Sequence, residues 1–155
     1  MVKKTVFIIL IFYSAFLFLS GVLPPILAHF KFYQLSGNLT YLMSAACHQQ
    51  PDRSFWLLGY PMALCSRCLG VYLGFFVYLS KRLSNLDEDK IKISIIIFLL
   101  IISSLDIFLN FLLNINTGII IRFIIGNCIG ICIAYTLEIL LQQIERGIKL
   151  CLQKK

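Results

Sequence analysis

The sequence predicts an all-α, multi-pass integral membrane protein: four transmembrane helices with an interfacial segment between helices one and two. Two compositional facts support this. Of 155 residues, 59% are hydrophobic and only 14% charged, against about 25% charged in an ordinary soluble domain. The mean hydropathy is +0.89. The third observation is that four apolar runs reach the length needed to cross a hydrocarbon core of about 30 Å, which takes about 20 helical residues.

The first run, residues 5–23, follows Lys3 and Lys4. A cleaved signal peptide would also start this way, but "LFLSGVLPP" offers no small-x-small cleavage site, so a retained helix is expected. Pro24 and Pro25 are expected to end it, because proline lacks the amide hydrogen and clashes with the preceding turn. The next stretch, to Trp56, mixes aromatic, apolar and polar residues without spanning length. It reads as an interfacial segment with a short amphipathic helix near residues 39–47 and with Trp56 and Tyr60 at headgroup level. The remaining spans are expected over residues 62–79, 93–113 and 118–141, with a solvated polar loop at 81–92 between the second and third. Residues 1–155 read as a single membrane domain.

Charge orients the chain. The net charge of +7 forms no aromatic-interleaved basic stripe, so nucleic acid is not an expected partner; the lipid bilayer is. Ten of the fourteen basic residues sit at Lys3, Lys4, Lys81, Arg82, Lys90, Lys92, Arg146, Lys149, Lys154 and Lys155. The positive-inside rule then puts both termini in the cytoplasm of a cell-membrane protein and the first loop on the outer face.

Polar residues inside apolar spans need a partner or a function. Cys65, Arg67 and Cys68 fall in the first two turns of the second span. Asp106 lies seven residues before the end of the third, about 10 Å deep, and Arg122 five residues past Thr117, about 7 Å deep. The loops add Cys47, His48, Arg53, Asn114 and Asn116 at the same end. The expected result is a polar cap on one end of the bundle, with Asp106 and Arg122 as an ion pair or Arg122 free to bind an anionic head group or carboxylate. Gly70 with Gly74, and Gly126 with Gly130, present small residues four apart, so the second and fourth spans are expected to touch.

Two chemistries suit the thiols. Cys65 and Cys68, at C-x-x-C spacing, can bite one metal ion while Cys47 and His48 complete a tetrahedral set, zinc being the natural occupant. Cys47 and His48 are adjacent, so their side chains diverge unless the turn is sharp; three thiolates form an acceptable variant. The alternative is a membrane thiol–disulfide oxidoreductase using Cys65 and Cys68 with Cys47 as a third, relaying thiol, since a helix amino terminus and Arg67 both lower a thiol's pKa. A small transporter is a third reading, more credible for a homo-oligomer than for a monomer. No phosphate-cradling glycine loop or Ser/His/Asp set is present, so neither a nucleotide enzyme nor a serine hydrolase is expected.

The segments "CHQQPDRSF" and "CSRCLGVYLG" resemble the signature of the membrane proteins grouped as domain of unknown function 2085. The first carries Cys47, His48, Gln49, Pro51, Arg53, Ser54 and Phe55; the second Cys65, Arg67, Cys68, Gly70, Tyr72 and Gly74. The resemblance runs from about residue 46 to 134 and extends more weakly to Asp106, Asn114 or Asn116, Arg122, Gly126 and Gly130, with Ile107 where the family usually has glycine. It implies that these motifs belong together on one membrane scaffold, and no activity.

Overall fold

The computed structural model describes residues 2–84, 93–112 and 117–153. Five α-helices run in the order α1 (Val2–His29), α2 (Tyr33–Ser44), α3 (Ser66–Ser84), α4 (Ile93–Leu112) and α5 (Ile119–Gln153). Between α2 and α3 lie a one-turn helix, Pro51–Arg53, and a two-stranded hairpin, β1 (Trp56–Leu57) and β2 (Tyr60–Pro61).

The first helix corrects one expectation: α1 passes through Pro24 and Pro25 and ends at His29. Pro25 has no N–H, so the carbonyl of Gly21, four residues back, has no helical donor. The amide of Ala63 donates to that carbonyl at 3.1 Å. A neighbouring segment thus satisfies the group the proline orphaned, which is how proline is tolerated in apolar helices. The helix stops instead at a Schellman turn, with Lys31 left-handed at φ 65°, Phe32 N donating to Leu27 O and Lys31 N to Ala28 O. Chain direction reverses there, and α2 begins at Tyr33, earlier than expected, with Ser36 Oγ donating to the carbonyl of Pro24 at 2.9 Å.

The second predicted span also starts later, at Ser66, because residues 56–61 form the hairpin. Its two-residue turn places Leu58 at φ 54° and Gly59 at φ 85°, the left-handed pair of a type I′ turn. Trp56 is exposed there. The fourth predicted span continues as helix to Gln153.

The expected contact between the glycine ridges is present. A Cβ at Gly70 would collide with the carbonyl of Phe123, at Gly74 with that of Asn127, at Gly126 with that of Arg67, and at Gly130 with that of Val71. Backbones of α3 and α5 therefore approach more closely than any side chain allows, and van der Waals contact along this seam holds the pair. Leu17, Met43, Ala63, Leu64 and Leu69 form an apolar core beneath the cysteines, and Phe7, Leu79 and Ala134 a second core toward the other end.

The outer surface is apolar. Phe12 is 72% exposed and Ile120 69%, which suits lipid rather than water. Lys4–His29 and Ile119–Gly147 are long and apolar enough to cross a membrane, and α4 contributes the shorter apolar stretch Ile96–Asp106.

Candidate functional site

The site is assembled from four places in the chain. The end of α2 sets Cys47, whose amide donates to the Met43 carbonyl at 3.0 Å. The chain then turns at Gln49, φ 51°, and enters the Pro51–Arg53 turn, which fixes Arg53. Ser54, fully buried, closes this loop through Oγ to the Gln50 carbonyl at 3.0 Å. The Ala63–Gly21 hydrogen bond seats the strand leaving the hairpin against α1, and two residues later Cys65 caps α3, its carbonyl accepting from Leu69 N.

The result is a triad of sulfurs: the Sγ atoms of Cys47, Cys65 and Cys68 all lie within 4.8 Å of one another. No disulfide links the cysteines among the described residues. The backbone amide of Cys65 donates to Cys47 Sγ at 3.3 Å. Hydrogen bonds from the Cys65 thiol, then the Cys68 thiol, outweigh the cost of burial and hold Cys47 well below the usual thiol range. A sulfur that collects thiol and amide donors is set up to be a thiolate, the form that binds metal.

The expected fourth ligand is placed differently. His48 is exposed and lies on the rim of the adjoining cleft, outside the sulfur triad.

That cleft has a volume of about 330 Å³ and is lined by the three cysteines together with Arg53, Arg67 and Arg122. Asp106, 4% exposed, sits behind it on α4. The carboxylate binds Arg67 through Oδ2, an ion pair that was not anticipated, while Oδ1 accepts from Thr117 Oγ1 at 2.9 Å. Arg67 and Arg122 enter at similar depth, and the charge of Asp106 acts on both. Arg122, also 4% exposed, completes the cleft from α5. Asn114 and Asn116 lie outside the described residues.

A second polar cluster, at the other end of α3, was not anticipated. Glu138 of α5, 3% exposed, accepts from Tyr78 Oη at 2.8 Å, Arg82 Nε at 2.7 Å and Gln142 Nε2 at 3.1 Å. The signal was present in the sequence: an acidic residue within "YTLEILL" needs a donor, and Tyr78 and Arg82 are spaced four apart on one helix face.

An all-helical chain with lipid-suited outer faces and a thiol-lined polar cap defines a membrane protein with a candidate ligand-binding end. A family model described as "Predicted membrane protein (DUF2085)" matches residues 47–136, and the chain belongs to that family. An uncharacterised protein of Methanocaldococcus jannaschii is 36% identical over 96 residues, 57% of this chain and 61% of the relative. An uncharacterised protein of Methanothermobacter thermautotrophicus is 50% identical over 32 residues, 21% of this chain and 29% of the relative. The chain thus matches less than two thirds of the length of either relative. No solved structure matches.

Proposed function

We propose that Cys47, Cys65 and Cys68 hold a zinc ion at the outer end of a four-span, single-domain membrane protein, where it organises a cleft lined by Arg53, Arg67 and Arg122. The observation that carries this is the convergence of the three sulfurs within 4.8 Å. A tetrahedral zinc with Zn–S bonds of about 2.3 Å places its sulfurs about 3.8 Å apart, so only a small contraction of the triad is required. When bound, zinc would tie the loop after α2 to the start of α3 and supply a Lewis acid beside the cleft. The protein's own part is to gather the thiolates and to stabilise that of Cys47 with the Cys65 amide.

Four spans are supported by where α3 and α4 end. Arg67, at the start of α3, meets Asp106, six residues from the end of α4, while Arg82, at the other end of α3, meets Glu138, sixteen residues along α5 from Arg122. At about 1.5 Å per residue, the 19 residues of α3 and 20 of α4 measure close to a hydrocarbon core. The basic residues gather at the end away from the thiols, which supports cytoplasmic termini.

Three neighbouring free thiols, with the Cys65 amide donating to Cys47 Sγ, also suit one other reading, a thiol–disulfide oxidoreductase. Elemental analysis separates them. Protein purified without added metal should carry about one zinc per chain, and Cys65→Ser or Cys68→Ser should lose it while keeping the helical circular dichroism. Metal-free protein whose Cys65 and Cys68 exchange between dithiol and disulfide would replace the zinc reading with the redox one.

A further inference from the structure

We infer that the cleft beside the sulfur triad binds a phosphate group, carried either by a lipid headgroup or by a small soluble ester. The inference rests on the proposed zinc reading only in that the metal would fix the cysteine wall.

Charge is the first argument. Arg53, Arg67 and Arg122 share one cleft, close enough for their charges to act on one another. The lining holds no carboxylate, and Asp106 beside it is bound by Arg67. Positive charge predominates in the cleft, the complement of a phosphodiester or a phosphate monoanion. Like charges crowded at a half-buried site repel until an anion enters between them.

Donor geometry is the second. Ser66 Oγ and Arg67 Nε are buried and have no hydrogen-bond partner among the described residues, and both residues line the cleft. Buried donors in folded proteins are rarely left without an acceptor. A guanidinium fork and a hydroxyl at the start of a 19-residue helix are matched by the several oxygens of a phosphate better than by the two of a carboxylate. The cleft's volume of about 330 Å³ exceeds that of a bare phosphate, so it has room for the group that carries it. Its position beside the Trp56 hairpin and the interfacial α2 puts it where lipid headgroups lie.

The test uses the full chain with its zinc content measured on every sample. In one arm, native mass spectrometry counts lipid retained from nanodiscs of phosphatidylcholine alone or mixed equally with phosphatidylglycerol. In the other, inorganic phosphate, glycerol phosphate and acetate are titrated into the detergent-solubilised protein by calorimetry. We expect saturable phosphate binding in at least one arm, weakened about tenfold by Arg53→Gln, as loss of a charge-assisted contact does. Lys31→Gln, an exposed lysine outside the cleft, should leave it unchanged. Lipid retention without soluble binding identifies a headgroup, and the converse a soluble ester. No saturable binding in either arm, equal losses from Arg53→Gln and Lys31→Gln, or acetate binding as tightly as phosphate overturns the inference. Arg53 is exposed, so its variant tests the cleft even if changes at buried Arg122 prevent folding. Zinc-free protein that still shows Arg53-dependent phosphate binding refutes the metal alone; zinc-loaded protein without phosphate binding refutes only this inference.

Discussion

The two ends of α3 carry the same kind of group, an arginine paired with a buried carboxylate, yet they are built to opposite purposes. At the Arg82 end, Glu138 accepts from Arg82, Tyr78 and Gln142, three donors carried by α3 and α5. At the Arg67 end, three arginines line an open cleft, with Asp106 bound by Arg67, and buried donors on Ser66 and Arg67 have no acceptor among the described residues. A polar cluster whose partners all come from the chain holds helices together. One with an excess of a single sign is completed by something from outside.

The largest effect should come from breaking the closed end. Glu138→Leu strands Arg82 and the Tyr78 hydroxyl against an apolar helix and should cost about 3–5 kcal/mol, read as a lowered unfolding midpoint in detergent. Much of that loss should return in the double variant Glu138→Leu with Arg82→Leu. If Glu138→Leu leaves the midpoint unchanged, the two ends are not different in kind.

Asp106→Asn sharpens the comparison, because its two readouts move in opposite directions. The asparagine keeps an acceptor for Thr117 but leaves Arg67 without its counter-ion, costing about 1.5–3 kcal/mol of stability. The same change raises the positive excess in the cleft and should tighten phosphate retention severalfold. A loss of both would mean that Asp106 only shapes the cleft.

Gly126→Ala acts between the two ends. Its methyl would strike the carbonyl of Arg67, so α3 and α5 must separate or slide, at about 1–3 kcal/mol. Because Arg67 sits on that contact, zinc and phosphate binding should weaken along with stability, whereas Gly147→Ala, which meets nothing, should change neither.

Much of the site could be read from the chain, because depth along an apolar helix follows from residue counting. That counting put Arg67, Asp106 and Arg122 in one slab, and their neighbours Cys65 and Cys68 with them. It could not give helix azimuth, so it could not show that Asp106 binds Arg67; the glycine seam of α3 and α5 was legible, but the rotation of α4 against it was not. Glu138 was missed although the reasoning applied to Asp106 covers it equally. The proline rule failed at Pro25 because it treats the orphaned carbonyl of Gly21 as unsatisfiable, and the amide that meets it is 42 residues downstream at Ala63. His48 was grouped with Cys47 for its imidazole, although adjacency argued against both reaching one ion, and of the two only Cys47 joins the sulfur triad.

The Gly21–Ala63 bond also bears on how the protein is made. The carbonyl bared by Pro25, the amide that meets it and the three cysteines of the triad all lie within residues 21–68. The partner of Arg67 lies at 106. All three sulfurs therefore precede Asp106 in the chain, so during synthesis they can meet before the counter-ion of Arg67 exists.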